Sequence, residues 1–233
     1  MATFNGASFI NEQINSILDQ LDLNDELIIS DDGSTDSTLQ LVNSFNDPRI
    51  RLLINPQPGS AVRNFENALK SARGSVIFLS DQDDVWYADK VNIMLADLNS
   101  YDLVLTDCQV VDEQGGILNE SFFSSRGSMP GFWRNYLKNS YMGCCMAFRR
   151  TVLSYILPFP KYIHMHDWWI GLITELQGST YFRSQPLVHY RRHSSNLSPT
   201  SAGSYHLGIR IINRLWIGWY IIKRIFMSRC FFL

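Results

Sequence analysis

Four clusters of residues in this 233-residue chain are built from side chains that do chemistry. Two are acidic, Asp31-Asp32-Gly33-Ser34-Thr35-Asp36 and Asp81-Gln82-Asp83-Asp84. A third, His164-Met165-His166-Asp167-Trp168-Trp169, sets one acid among aromatics, and a fourth, His189-Tyr190-Arg191-Arg192-His193, gathers two arginines and two histidines. Three carboxylates within four residues raise one another's pKa unless a cation neutralises them, and oxygen ligands at that density suit magnesium or manganese; a solvated charged loop is the alternative. Aromatic neighbours around Asp167 exclude water and lift a carboxyl toward the range of a general base, where the competing role is a helix cap. In the first cluster Gly33 supplies a turn, Ser34 or Thr35 a cap and Asp36 a charge for the helix dipole, which leaves Asp31 as a ligand candidate. Arginine forks and imidazoles suit a diphosphate, directly or through a metal; a surface basic patch is the alternative.

The elements that must position these clusters alternate in type. Ile10, Ile14, Ile17, Leu18 and Leu21 share a helical face, and Leu27-Ile28-Ile29 is a buried strand. Leu39, Val42 and Phe45 mark a helix, Ile50 to Ile54 a strand, and Ala61, Phe65, Ala68, Leu69 and Ala72 a further helix. Val76 to Leu79 is a strand, Tyr87 to Leu98 a helix and Leu103-Val104-Leu105 a strand. This βαβα order predicts an α/β fold with a mostly parallel central sheet flanked by helices, and it puts both acidic clusters just after strand ends, where such sheets bind ligands. Only Met1-Ala2-Thr3 precede the turn at Asn5-Gly6, so the first strand reads as truncated. Beyond Asp107 turns predominate, then a strand-like Met142 to Phe148, a helix around Trp168 to Leu176 and a strand-like Pro186 to Tyr190.

A formal net charge of -2 with 18% charged residues exerts no global pull toward nucleic acid, and 45% hydrophobic content fills one large domain. Cys108, Cys144, Cys145 and Cys230 lack metal-ligand spacing and are expected as buried thiols in a reducing cytosol. No signal peptide opens the chain and no apolar run reaches the roughly 18 residues of a membrane span, so a cytoplasmic place is expected. In the tail, Ile209, Ile212, Leu215, Trp216, Trp219, Ile222 and Phe226 share a broad helical face beside Arg210, Arg214, Lys223, Arg224 and Arg229. Such a helix suits the inner surface of the plasma membrane; packing on the domain is the competing role.

Taken in register, Met1-Ala2-Thr3-Phe4-Asn5-Gly6, Asp31 to Asp36, Ser80-Asp81-Gln82-Asp83-Asp84, His166-Asp167-Trp168-Trp169 and Tyr190-Arg191-Arg192-His193 resemble the family 2 glycosyltransferases, above all the rhamnosyltransferase-like bacterial members. The resemblance runs from residue 1 to about residue 200. It implies a GT-A fold, with a nucleotide-sugar half at about 1–107, an acceptor half at about 108–203 and an appended amphipathic helix at 204–233. It also implies inversion at the anomeric carbon. By the same resemblance, Ala2, Thr3, Asn5 and Asp31 line the nucleotide pocket, Asp81 approaches the ribose, Asp83 holds Mn2+ or Mg2+ on the diphosphate, His193 reaches the metal or the phosphates, and Asp167 is the catalytic base. The implied partners are a nucleotide-sugar donor, with rhamnose the first candidate sugar, and a saccharide or lipid-linked saccharide acceptor of cell-surface polysaccharide synthesis. Two rivals stand beside this: an inactive fragment that keeps a binding surface, and a nucleotidyltransferase, which the lack of a Gly-rich phosphate loop disfavours.

Overall fold

The computed structural model describes residues 1–193, Asn196 and 207–230. Strands β1 (Ala2–Thr3), β2 (Leu27–Asp31) and β3 (Ile50–Ile54) form a parallel sheet in that order. Helices α1 (Ile10–Leu18), α2 (Thr38–Ser44) and α3 (Ala61–Ser71) alternate with them. Ile10, Ile14 and Ile17 recur at helical spacing and are buried, so α1 is fixed by one apolar stripe. All five residues of β2 are buried, which is why its apolar part is a continuous run rather than an alternation. At its end Gly33 adopts φ +89°, a conformation that side chains with a Cβ rarely take, and turns the chain toward α2.

The second sheet has six strands: β4 (Val76–Phe78), β5 (Val85–Trp86), β6 (Leu103–Val111), β7 (Ile117–Asn119), β8 (Met146–Arg149) and β9 (Thr180–Arg191). Their order is β4-β8-β6-β9-β5, with β7 on β6. Here the expectation of a mostly parallel sheet is corrected. β6 and β9 run parallel, whereas β4 with β8, β6 with β8, β5 with β9 and β6 with β7 are antiparallel. A parallel neighbour needs a crossover that returns the chain to the starting end. After β6 the chain instead passes through the short helices α5 (Phe122–Arg126) and α6 (Phe132–Leu137) and enters β8 from the far end.

Helix α4 (Lys90–Leu98) packs Met94 and Leu98 against Val104 and Ala147 on one side of this sheet. On the other side lie α7 (Leu153–Ile156) and α8 (His166–Gln177). Two indoles fix α8: Trp169 Nε1 donates to the Ile156 carbonyl at 3.0 Å and Trp168 Nε1 to the Asn135 carbonyl at 2.9 Å. The tail forms α9 (Leu207–Cys230). It docks through Ile217 and Ile221, through the Tyr136 hydroxyl on the Arg214 carbonyl at 2.9 Å, and through Arg224 on the carbonyls of Tyr155 and Leu157. The face drawn from the sequence, Ile209, Ile212, Leu215, Trp216, Trp219, Ile222 and Phe226, is therefore the exposed one. The boundary placed at 203/204 and the side chains of Arg229 and Cys230 lie outside the described residues.

Candidate active site

The acidic loop 81–84 follows β4 and is pinned from α1. Gln13, fully buried, donates its side-chain amide to Ser80 Oγ at 2.7 Å and to the Asp81 carbonyl at 3.2 Å. Gln82 then grips the loop after β1: the Phe4 N–H donates to Gln82 Oε1 and Gln82 Nε2 donates to the Phe4 carbonyl, both at 2.9 Å. The three carboxyls of the loop diverge. Asp81 is crowded by protein and by the charges of Asp83 and Asp167, which push its pKa up to about 7. Asp83 Oδ2 meets His193 Nε2 at 2.8 Å and Asn196 Nδ2 at 3.1 Å. Asp84 is buried, accepts the Arg191 N–H at 3.1 Å on one oxygen, and is held well above the usual carboxylate range by burial and then by Asp83 and Asp81.

Asp167 comes from another part of the chain and faces the same loop, since its charge acts on Asp81. It lies in the first turn of α8, 5% exposed, with Oδ1 accepting the Trp168 N–H at 2.6 Å. Burial lifts its pKa to about 7, against the pull of the Trp168 and Gly143 amides. Its neighbour His166 stacks on Phe65 at 3.9 Å between ring centroids; burial drops its pKa to about 3, so it stays neutral. A short 3-10 turn at Gly143–Cys145 closes the site from below. Lys90, fully buried and 4.5 Å above the Trp86 ring, donates to the Cys144 carbonyl in that turn at 2.7 Å.

The turn after β2 is organised by Asp31. Its Oδ1 accepts the Gly33 and Ser34 amides at 3.0 and 2.8 Å, and its Oδ2 accepts the hydroxyls of Thr3 and Ser34 at 3.0 and 2.6 Å. Four donors fill this buried carboxylate. Asp32 points elsewhere and accepts Asn55 Nδ2 at 2.6 Å and the Gly59 N–H at 2.9 Å, which leaves lone pairs on both oxygens. Asn5, at φ +48°, ties β1 to the same turn: its N–H donates to Ser34 Oγ and its Oδ1 accepts the Thr35 N–H, both at 2.8 Å. Ala2 lies beside them in β1, its N–H on the Ser80 carbonyl at 3.2 Å.

Residues 2–5, 31–35, 81–84, 167 and 193 thus gather on one rim, at the ends of β1, β2 and β4. Arg191 departs from the diphosphate role its cluster suggested. Its guanidinium pairs with Glu12, with the Glu113 carbonyl at 3.0 Å and with the Asp83 carbonyl at 3.1 Å, and so braces the loop. Sequence reasoning also passed over Gln13, Gln82, Asn196 and the Asp84–Cys144 pair. Each works with a residue far away in the chain, and no local pattern marks it. Carboxylate oxygens, which suit a hard divalent cation, stand together at this rim on Asp81 and Asp84, while Asp83 is joined to the His193 imidazole. Oxygens of Asp81 and Asp84 also lie within 4.8 Å of the Cys144 sulfur.

Two acidic turns, after β2 and after β4, thus stand with a buried acid opposite, and residues 1–157 match Glycosyl transferase family 2; the chain belongs to that family. It is 29% identical to the dTDP-rhamnosyl transferase RfbG of Shigella flexneri, an alignment covering 84% of this chain and 72% of that one. It is 28% identical to the UDP-Glc:alpha-D-GlcNAc-diphosphoundecaprenol beta-1,3-glucosyltransferase WfgD of Escherichia coli, over 74% of this chain and 66% of that one. Among solved structures it shares its fold with residues 1–349 of Staphylococcus aureus TarS, at a TM-score of 0.67 and 21% identity, covering 82% of this chain. The chain spans 58% of that TarS chain.

Proposed function

We propose that the protein is an inverting glycosyltransferase that moves a sugar, with rhamnose the first candidate, from a nucleoside diphosphate to a hydroxyl of a saccharide or lipid-linked saccharide. The observation that carries this is the convergence of Asp81, Asp83 and Asp167 on one rim, with Asp167 buried and its pKa lifted to about 7. In the proposed step the acceptor oxygen attacks the anomeric carbon. The carbon–oxygen bond to the diphosphate breaks, its electron pair leaves with the diphosphate, and the hydroxyl proton passes to Asp167. A carboxyl with a pKa near 7 is ionised enough to act at neutral pH and basic enough to take that proton.

Asp83 and His193 would hold Mn2+ or Mg2+, which when bound neutralises charge developing on the leaving diphosphate. Asp81 would approach the ribose. Ala2, Thr3 and Asn5 would line the base pocket, with Asp31 shaping it through the turn it organises and Asp32 offering its free lone pairs. Two relatives support the substrate class, one a dTDP-rhamnosyl transferase and the other a glucosyltransferase acting on a diphosphoundecaprenol-linked sugar.

The exposed apolar face of α9 supports work at a membrane surface. Trp219 and Leu215 are 59% and 66% exposed, and Arg210 and Lys223 lie beside them. Among the described residues no helix is long and apolar enough to cross a membrane. The test of the proposal is purified protein with Mn2+, a panel of nucleotide sugars and an undecaprenyl-diphosphate-linked acceptor. Product from one donor is expected; no product and no donor hydrolysis with any of them would count against it.

A further inference from the structure

Charge is divided unevenly along this chain. Of its 20 Lys and Arg, 14 stand in residues 121–233, against only two of its 22 Asp and Glu, Asp167 and Glu175. Neither acid offsets that charge at the surface. Asp167 is buried, and Glu175 Oε1 is taken by the Gly131 N–H at 2.8 Å. A near-neutral whole is thus an acidic part ending at Glu120 and a basic part after it.

Within the basic part, α5 and α6 meet α9. Arg126, Arg134 and Lys138 are exposed on the first two and Arg210 on the third. The Arg214 guanidinium donates to the Leu137 carbonyl, and a Cβ at Gly218 would fall 2.6 Å from the Tyr136 hydroxyl, so α6 and α9 touch directly. Surrounding protein and then the charge of Arg210 lower the Arg126 pKa, which places the two guanidinium groups near each other. Among the described residues none of these five bases has an acidic partner. Arg126, Arg134 and Lys138 donate instead to the carbonyls of Asn139, Gly127 and Arg126, at 2.9, 3.1 and 2.6 Å.

Apolar side chains stand among these bases. Trp133 and Leu137, four residues apart and so on one face of α6, are 72% and 62% exposed. On α9, Arg214 and Gly218 face α6, and helical spacing sets Ile211, Leu215 and Ile222 next to them on the outward flank, all three exposed.

We propose that α6 and the outward flank of α9 form one contact surface for an anionic lipid bilayer, with Trp133 and Leu137 among the acyl chains beside Leu215 and the surrounding bases on headgroup phosphates. The inference rests on reading α9 as a membrane-surface helix and adds a second point of attachment from a distant part of the chain. A two-fold pair of copies would set these bases against the same bases, whereas a bilayer supplies opposite charge and an apolar interior together. Two points also fix an orientation that one helix, free to roll, does not. Trp168, next to Asp167, gives its indole N–H to the Asn135 carbonyl of α6 at 2.9 Å, so the contact sets the height of Asp167 above the lipid.

The test is co-sedimentation of the full chain with phosphatidylcholine vesicles, with and without phosphatidylglycerol. Wild type is compared with Trp133→Ser/Leu137→Ser, with Arg134→Gln/Lys138→Gln, and with a chain in which Leu215, Trp219 and Ile222 of α9 are all Ser. Wild type should prefer the anionic vesicles, and each α6 pair should bind them at least about tenfold more weakly, since one basic side chain at an anionic surface is worth roughly fivefold. Tm should stay within a few degrees, because all four α6 side chains are exposed. Wild-type affinity in both α6 pairs, with binding lost in the α9 variant, would overturn this inference and leave the α9 reading standing. No binding of wild type to either vesicle would overturn both. Equal binding of wild type to the two vesicle types would overturn the inference as well, since the bases would then have no part.

Discussion

Replacing Asp167 by Asn should make the protein more stable at pH 8 while removing most of its turnover. Raising a carboxyl's pKa from its ordinary 3.8 to about 7 corresponds to about 4 kcal/mol of disfavoured ionisation. Asparagine carries no charge and its oxygen still accepts the Trp168 N–H, but its NH2 must find a partner in a buried site, which costs about 1–3 kcal/mol where none exists. The net gain at pH 8 is therefore about 1–3 kcal/mol, or roughly 3–10 °C in Tm for a chain of this size. The sign follows from linkage. Because the folded pKa lies above the unfolded one, wild-type stability is lost as pH rises from about 4 to about 7 and stays lost above that. The advantage of the variant thus opens within that window, and near pH 4, where only the unpaired NH2 counts, the variant is the less stable of the two by about 1–3 kcal/mol. Denaturant titrations at pH 4, 6 and 8, paired with turnover at pH 8, test this, and turnover should fall about a hundredfold or more. A pure helix cap gives a different pattern, since Asn caps as well as Asp and neither stability nor turnover would move. An Asn variant of unchanged or lower stability at pH 8 that keeps its turnover would refute the argument.

Wild-type kcat/KM should rise with pH through an apparent pKa near 7, as Asp167 must be ionised to accept the proton; a flat profile from pH 5 to 8 would remove it as the base. A Cβ at Gly6 falls 2.2 Å from Gln82 Oε1, so Gly6→Ala should displace the Gln82 grip on Phe4 and cost about 1–2 kcal/mol. Gln82→Ala should cost about the same, and the double variant no more than either alone; additive losses would show that the two act separately. Replacing Leu215, Trp219 and Ile222 together by Ser should leave Tm within a few degrees, because all three are exposed, and abolish co-sedimentation with anionic liposomes at low salt. Equal sedimentation of that variant would show that α9 does not hold the membrane.

Much of the first half was legible because each element there buries one face. Ile10, Ile14 and Ile17 announce α1 and the run Leu27-Ile28-Ile29 announces β2, and both lie where the periodicity places them. The direction of β8 was not legible. Met142 to Phe148 looks like a strand in either orientation, and the choice is made by α5 and α6, each too short to show a helical period. Val85-Trp86 is likewise too short to be seen as β5, and it forms because β9 offers an edge. In the tail both helix faces are apolar, so the sequence could not say that Ile217 and Ile221 dock while Trp216 and Trp219 face out. At the candidate site, acid density singles out Asp81 and Asp83 in the sequence, and an isolated acid among aromatics singles out Asp167. That Asp31 spends all its lone pairs on the turn, and that Arg191 braces the loop, depends on Thr3, Glu12 and Glu113, which only folding brings near.

The central claim, that this rim binds a nucleoside diphosphate through a cation on Asp83, is tested most directly by calorimetric titration of UDP and dTDP. The titrations use wild type and Asp83→Asn, each with Mn2+ and with chelator. Binding of at least one nucleotide by wild type with Mn2+, weakened at least tenfold by chelator and by Asp83→Asn, is the expected result. Equal binding by Asp83→Asn in chelator, or no binding of either nucleotide by wild type at millimolar concentration with Mn2+, would contradict it.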